Sequence, residues 1–252
     1  MSLVLYHSPI STCSHKVRLA LAEKNLPFES RIMQFSKQDH LSDWYLAINP
    51  NGVVPTLTCD GKAVVDSSVI CEFLEEAFEG PSISPAAPLE RASMRAWMRY
   101  FEEVPTSAIR VPSFNIRLGA GFKAIPPAMF DVMVDKMPLR GHFYREMKQG
   151  EFSAHRYDES IAKLRSCLVR VANALSTGGP WIMGQQFTIA DIALVPSVVR
   201  MVDLGLEAQW DDLPAIASWL ERAIARPSFS EAYYEGTRVS PSEFAIAAAR
   251  GI

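Results

Sequence analysis

Apolar and polar positions follow two different periods over the first 80 residues of the chain, which predicts both strands and helices there. Short apolar runs that end at Pro, Asn or Gly predict strands, and longer stretches of helical spacing predict helices. The predicted elements, in chain order, are a strand at 2–6, a helix at 17–24, a strand at 28–35, a helix at 41–48, hairpin strands at 56–59 and 63–65, and a helix at 69–78. This order predicts a compact α/β unit with a mixed sheet.

The pattern changes after residue 79. Residues 80–88 are rich in Pro and Ser, which is typical of a linker between domains. Beyond the linker no stretch has a convincing strand pattern, and helical periodicity recurs at 89–103, 158–175, 189–204 and 214–225. We therefore predict an α/β domain at residues 1–79, a linker at 80–88 and an all-α domain at 89–252.

Residues 104–157 break the helical periodicity of the second domain. They contain five prolines and several glycines, and their hydrophobic pattern is poor. Proline and glycine are the residues that most often interrupt regular structure. We predict a long, loop-rich insertion here, placed where it would cap a pocket.

Composition and charge exclude several classes of protein. The chain has 252 residues, of which 48% are hydrophobic and 21% charged, and this is ordinary globular usage. A formal net charge of −3 with scattered Lys and Arg speaks against nucleic-acid binding. The N-terminus lacks the pattern of a signal peptide, and the apolar run at 189–199 is too short to span a bilayer. With four cysteines that lack zinc-type spacing, we expect a cytoplasmic protein without a metal or a membrane anchor.

Hydroxyl and thiol side chains occur together at the turn between the first strand and the first helix, at Ser11, Thr12 and Cys13. The N-terminus of a helix presents unpaired N–H groups and a partial positive charge, so a hydroxyl there helps to hold an anion such as a thiolate. The alternative is simple N-capping by Ser or Thr.

Two further segments carry polar or backbone groups suited to binding. Pro55 stands at the entry to a predicted strand, where a cis bond would turn the backbone of Val54 outward to pair with an extended peptide. The alternative is a plain loop with trans prolines. Asp66 offers an acceptor for an ammonium group and Ser67 a hydroxyl and an N–H for a carboxylate, although helix capping explains both residues as well. Thr188 to Asp191 has the pattern of a capping box, and we interpret it as structural.

Taken in order, these motifs resemble the signature series of the cytosolic glutathione S-transferase superfamily. The matching segments are 11–18, 38–43, 49–57, 65–70 and 187–194. The resemblance implies a thioredoxin-like domain that binds glutathione, an all-helical domain that supplies most of the second-substrate pocket, and a homodimer. It also implies that glutathione is the co-substrate.

The resemblance implies roles for individual residues. Ser11 matches the position of the catalytic serine or cysteine, with Thr12 and Cys13 in the rest of that motif. The residues implied to bind glutathione are His40 at the glycyl carboxylate, Val54 beside cis-Pro55 at the cysteinyl unit, and Asp66 with Ser67 at the γ-glutamyl end. Because Ser11 and Ser14 replace both cysteines of a redox pair, thiol-disulfide exchange by this pair is not expected.

Three segments, 135–152, 40–44 and 68–75, are similar to bacterial members that cleave β-aryl ether bonds of lignin-derived dimers. In those members glutathione attacks the carbon that bears the aryl ether and gives a thioether and a phenol. Aromatic residues in or near the irregular segments would line the second-substrate pocket: Phe114, Phe122 and Tyr144, together with Phe143 and Trp210. Core packing is the alternative for all of them.

Three rival interpretations stay open from the sequence. Tyr6 lies near the place where tyrosine-type transferases keep their catalytic hydroxyl, although we favour its interpretation as a core residue that completes the first strand. Cys13 beside a helix N-terminus is a candidate nucleophile for a mixed disulfide with glutathione. A binding module that uses the same fold without catalysis belongs to a third class.

Overall fold

The computed structural model describes residues 1–148 and 150–241. Four strands form one mixed sheet in the order β2-β1-β3-β4. They are β1 (Leu3–His7), β2 (Glu29–Ile32), β3 (Thr56–Cys59) and β4 (Lys62–Val65). β1 pairs parallel with β2 and antiparallel with β3, and β3 pairs antiparallel with β4. The predicted mixed sheet is confirmed.

The turn between β3 and β4 follows directly from the sequence. Asp60 and Gly61 both have positive φ, 48° and 79°, which matches a two-residue hairpin turn. Gly61 adopts this conformation at no steric cost because it has no Cβ. The strand predicted at 28–35 is shorter than expected, because the four residues of β2 are all exposed and form an edge of the sheet.

Three helices accompany the sheet and ten more follow it within the described residues. The first three are α1 (Thr12–Glu23), α2 (Asp43–Ile48) and α3 (Ser67–Ala77). The others are α4 (Pro88–Glu103), α5 (Pro105–Ala108), α6 (Arg110–Ser113), α7 (Ala120–Lys123), α8 (Pro127–Asp135), α9 (Gly141–Met147), α10 (Ala154–Gly178), α11 (Ile189–Asp203), α12 (Pro214–Ile224) and α13 (Pro227–Ala232). Each of the four helices predicted beyond the linker is present, with ends displaced by a few residues.

The prediction of a loop-rich insertion at 104–157 is wrong. Short helices α5 to α9, and a π-helical turn at Phe114–Leu118, occupy most of this segment. Pro105 and Pro127 each stand in the first turn of a helix, where a missing N–H costs nothing because it has no intrahelical partner. The prolines therefore start helices here, and α13, which begins at Pro227, was missed for the same reason.

Buried apolar side chains form a main core and a separate second cluster. The main core joins both halves of the chain: α1 packs against α3, α11 and α13, and α11 is buried along nearly its whole length. The second cluster is built from Leu41 and residues of the segment 111–152. The division into domains at 79 and 89 stays a prediction, and its last part, 242–252, lies outside the described residues.

The capping box predicted at Thr188 is present at the start of α11. The hydroxyl of Thr188 accepts from the N–H of Ala190, and the carboxylate of Asp191 accepts from the N–H of Thr188 at 3.0 Å. Asp191 is fully buried and also accepts from the N–H of Ile182 and from Nε1 of Trp219. Burial raises the pKa of Asp191 to about 6, while these donors act to lower it. This carboxylate therefore connects three separate segments of the helical half.

No helix in the described part of the chain is both long and apolar enough to cross a membrane. Nor does that part gather three or more His, Cys, Asp or Glu side chains into a possible metal site.

Candidate active site

One edge of the sheet brings the predicted site segments together. Tyr6 lies opposite Thr56 in an antiparallel pair, so the residues after β1 and those before β3 share an edge. Thr56 also lies opposite Val65, which places the start of α3 at the same edge. β2 runs parallel to β1 and ends there too. The segments that leave or enter the sheet at this edge contain Ser11, His40, Val54, Pro55, Asp66 and Ser67.

Ser11 is the N-cap of α1. Its Oγ accepts a hydrogen bond from the N–H of Ser14 at 3.3 Å, so the capping role considered from the sequence is present. This bond uses a lone pair of the oxygen, and the O–H proton has no acceptor among the described residues. Capping and donation to an external anion are therefore compatible. Thr12 and Cys13 follow in the first turn, each partly buried, and Cys13 is a free thiol.

The bond between Val54 and Pro55 is cis, as the sequence suggested. Tyr45 and Asn49 hold the preceding residue, since the Tyr45 hydroxyl and the Asn49 side-chain amide both donate to the carbonyl of Val53, at 2.7 and 2.9 Å. Within the described residues, the N–H and the carbonyl of Val54 make no hydrogen bond. A backbone donor and a backbone acceptor are thus available to an extended ligand.

Asp66 and Ser67 begin α3. Asp66 is the N-cap, with φ of 72°, and its carboxylate accepts from the N–H groups of Ser68 and Val69 at 2.9 and 3.1 Å. Asp66 is exposed, so its second carboxylate oxygen faces solvent, whereas Ser67 is buried. The capping interpretation is correct for Asp66, and it leaves acceptor capacity for an incoming ammonium group.

A buried ion pair beneath this site was missed from the sequence. Lys16 on α1 donates to the carboxylate of Glu102 on α4, and to the hydroxyl of Ser68 at 3.2 Å. Burial acts to lower the pKa of Lys16, but Glu102 together with Cys13 and Cys71 outweighs it and the pKa is raised. For Glu102, burial acts to raise the pKa, but Lys16 together with Ser68 and Arg110 outweighs it and the pKa is lowered. Both groups are therefore charged, and they join α1 and α3 to the helical half. An isolated lysine in the sequence gives no signal of such a partner.

His40 lies in a 3-10 turn at Asp39–Leu41 and is 9% exposed. Its ring contacts Phe35 edge-on at 4.8 Å, and its buried Nδ1 has no hydrogen-bond partner among the described residues. Burial lowers the pKa of His40 to about 4, against a smaller raising effect of Asp39. The imidazole is therefore neutral near pH 7.

We expect His40 to make the fold sensitive to acid. Its pKa is about 4 in the folded chain and 6.5 when exposed, so between these values the unfolded chain binds more protons and stability falls as the pH falls. Between pH 7 and pH 5 this costs about 2 kcal/mol of unfolding free energy. Urea unfolding at both pH values should show a loss that is smaller by this amount in His40→Gln than in the wild type, which also contains the buried His7 and His15. The exposed His142→Gln serves as control, and equal losses in all three proteins would contradict the assignment.

The predicted pocket residues Phe114, Phe122 and Tyr144 are in mutual contact. Their ring centroids lie 5.5 to 5.7 Å apart, and Phe143 and Phe152 extend the group. We call these five residues the aromatic cluster. Trp210 is not part of it, because it is buried in the main core. The ring of Tyr6 contacts Trp44 and Tyr45, as expected of a core residue at the end of β1.

Arg200 connects the sheet edge with the aromatic cluster. It lies on α11, is 4% exposed, and donates to the carbonyl of Ile10, the residue before Ser11. Its other terminal nitrogen lies 3.4 Å from the hydroxyl of Ser113, the residue before Phe114. One side chain therefore joins the candidate catalytic turn to the residue that precedes the first ring of the cluster. Leu41, next to His40, packs in the same second cluster as Phe143.

Comparison with known proteins agrees with this geometry. The glutathione S-transferase N-terminal domain profile matches residues 10–77, and the glutathione S-transferase C-terminal domain profile matches residues 154–222. Protein LigF from Sphingobium sp. strain SYK-6 is 32% identical over 251 residues, which cover 94% of this chain and 95% of LigF. Glutathione S-transferase TCHQD from Arabidopsis thaliana is 26% identical over 245 residues, with 93% and 91% of the two chains covered.

A solved structure gives the same result. The crystal structure of the β-etherase LigF from Sphingobium sp. strain SYK-6 matches with a TM-score of 0.83 and 30% identity, over 92% of this chain and 99% of that chain. The chain belongs to the glutathione S-transferase family. The family predicted from the ordered motifs is therefore confirmed, together with its thioredoxin-like and all-helical fold.

Proposed function

We propose that the protein activates glutathione as its thiolate at the N-terminus of α1 and transfers it to a hydrophobic aromatic electrophile. The observation that carries the proposal is Ser11, whose O–H is free to donate at a helix N-terminus that Arg200 ties to the aromatic cluster. A thiol titrates near pH 8.5, so only a few per cent is ionised at neutral pH. A hydrogen bond from Ser11 and the partial charge of the helix both favour the ionised form.

The remaining site residues then bind the tripeptide. The free N–H and carbonyl of Val54 pair with the backbone of the cysteinyl unit, as an added strand would. At the γ-glutamyl end the Asp66 carboxylate accepts from the ammonium group, and the hydroxyl and N–H of Ser67 bind the carboxylate. His40 contacts the glycyl end of the tripeptide.

We propose a β-aryl ether as the electrophile. The full-length similarity to a protein described as a β-etherase supports this choice, and so does the cluster of five rings, which begins one residue after the Ser113 partner of Arg200. In the reaction the thiolate forms a C–S bond at the carbon that bears the aryloxy group. The C–O bond breaks with its electron pair on oxygen, and the phenoxide takes a proton from water. A role in lignin degradation follows if the ether is a lignin-derived dimer.

The experiment combines thiolate detection with turnover. Glutathione is titrated into the protein near neutral pH while thiolate absorbance in the ultraviolet is followed, and a fluorogenic β-aryl ether is then added. We expect thiolate formation on binding, followed by release of the fluorescent phenol and an equal amount of thioether. Thiolate formation without phenol release would reject the ether but keep the transferase. Absence of glutathione binding at millimolar concentration would favour the non-catalytic binding module.

Cys13 supplies a second candidate function, glutathione thiol transfer through a mixed disulfide. It is favoured by one observation, a free and partly exposed thiol in the first turn of α1. Mass spectrometry after incubation with glutathione disulfide distinguishes the two, because only this function adds one glutathionyl group to Cys13. We also propose a homodimer in the cytoplasm. Light scattering during size-exclusion chromatography measures the mass, and fractionation of cells gives the location.

A further inference from the structure

The three residues before the N-cap of α1 have their carbonyl oxygens bound by two buried arginines. Arg18 on α1 donates to the carbonyl of Ser8 at 3.4 Å and to that of Pro9 at 2.8 Å. Arg200 on α11 donates to the carbonyl of Ile10, the next residue. The two arginines are 3% and 4% exposed, so a carbonyl that bonds to either of them points into the interior. Three successive carbonyls are thus directed inward.

The same turn presents hydrogen-bond donors that have no acceptor within the described residues. They are the O–H of Ser11 and the N–H groups of Thr12 and Cys13. The first N–H groups of an α-helix have no intrahelical acceptor and can bind an external anion. A thiolate at this turn therefore meets donors, while the partial negative charges of the preceding carbonyls are bound to the arginines.

Both arginines carry a positive charge that no carboxylate in the described part of the chain neutralises directly. Within residues 1–148 and 150–241 their hydrogen bonds go to uncharged acceptors. Asp203, one turn after Arg200 on α11, is already paired with Arg238. Burial lowers the pKa of Arg18 to about 10, so its guanidinium stays charged at neutral pH. The two cations therefore add to the partial positive charge at the N-terminus of α1.

We propose that Arg18 and Arg200 are positioning residues for the glutathione thiolate, because they hold three carbonyls away from the sulfur and place positive charge behind the turn. Each acts through the backbone of the turn, since its donors are bound to carbonyl oxygens. The inference rests on the proposed function, because it concerns the same thiolate. Glutamine at either position removes the charge, whereas lysine keeps the charge and loses the planar fork of donors.

The test follows turnover and the ultraviolet thiolate signal of bound glutathione against pH in the wild type, Arg18→Gln and Arg200→Gln. We expect each variant to raise the pKa of the bound thiol by about 1, since a nearby opposite charge changes the pKa of an ionised group by about 1–3. At pH values below that pKa, kcat should fall about tenfold, and it should approach the wild-type value at high pH. The KM for glutathione should change little. A purely structural role would lower kcat at every pH or raise the KM.

Two further measurements separate this role from support of the fold. Arg18→Lys and Arg200→Lys should raise the pKa of the bound thiol less than the glutamine variants do, and they supply the result by themselves if glutamine prevents folding. Arg226→Gln is the matched control, because Arg226 binds Glu23 at the other end of α1 with two hydrogen bonds of 2.6 Å. It should lower stability and leave the pKa of the bound thiol unchanged.

The outcomes distinguish this role from the proposed function. An unchanged thiol pKa in every folded variant of one arginine removes that arginine from the assignment, and the same result for both overturns it. An equal rise in Arg226→Gln also overturns it, since loosening of α1 would then be the cause. Absence of thiolate in the wild type at neutral pH rejects the proposed function and this role with it. A wild-type thiolate whose pKa does not move in the variants rejects this role alone.

Discussion

Replacing Ser11 by alanine should lower kcat/KM for glutathione transfer by about 10- to 100-fold, because a hydrogen bond to a charged group contributes about 1.5–3 kcal/mol. In the proposed mechanism the hydroxyl of Ser11 donates a hydrogen bond to the thiolate, because it accepts from the N–H of Ser14 and keeps its own proton for an external acceptor. The same substitution should reduce the ultraviolet thiolate signal at neutral pH, since the pKa of the bound thiol rises. Stopped-flow measurement of the signal against pH gives that pKa for each protein.

The control separates loss of the cap from loss of the donor. Ser11 caps α1, so Ser11→Ala also costs about 1 kcal/mol of stability. Ser153→Ala removes an equivalent cap, the acceptor for the N–H of Arg156 on α10, and should leave turnover unchanged. Thr12→Val and Cys13→Ser complete the set. Full activity of Ser11→Ala with loss in either of these two would move the role to that residue.

Replacing Asp191 by alanine should lower the free energy of unfolding by about 3–5 kcal/mol, with little direct effect on the chemistry. The carboxylate is fully buried and accepts from the N–H groups of Ile182 and Thr188 and from Nε1 of Trp219. Its removal leaves these donors unpaired, and each unpaired buried donor costs about 1–3 kcal/mol. For a chain of this length the melting temperature should fall by about 6–20 °C.

An exposed aspartate gives the comparison. Asp212→Ala removes the 2.7 Å ion pair with Arg165 in the same half of the chain, and its effect should be far smaller because surface pairs contribute little to stability. Denaturant unfolding measures both variants. If Asp191→Ala were no less stable than Asp212→Ala, the buried carboxylate would not be the link between the segments at 182, 188 and 219.

Local signals in the sequence predicted the sheet and the candidate turn well. Asp60 and Gly61 specify their hairpin without help from the rest of the chain, because the turn needs positive φ at both positions. The capping box at Thr188 is equally local. The segment at 104–157 was misjudged because proline has two opposite effects, which depend on its position in a helix. The helix that starts at Pro105 packs in the main core and the one that starts at Pro127 packs in the second cluster, and no short window of sequence contains either set of contacts.

Contacts between residues far apart in the chain could not be predicted from the sequence. Lys16 and Glu102 are 86 positions apart, and Arg200 reaches the carbonyl of Ile10 across 190 positions. Their pairing depends on how α4 and α11 pack against α1, which is a property of the whole fold. For the catalytic and binding roles of Ser11, Val54 and Asp66, the motifs and the family resemblance gave the prediction, and the experiments above test it.

The separation of the second cluster from the main core has a consequence for how new activities arise. The aromatic cluster packs within the second cluster, whereas the turn at Ser11 is held to the main core through α1 and Arg200. In the proposed function these rings line the acceptor pocket, so substitutions among residues 114–148 reshape that pocket while the turn at Ser11 keeps its support, because Ser113, the partner of Arg200, is unchanged. We expect combinatorial libraries in this segment to yield folded transferases with altered acceptor preference more often than libraries in α1 or α11. In the proposed function the molecule is modular, because the site that activates the thiol can stay constant while the residues of the second cluster vary.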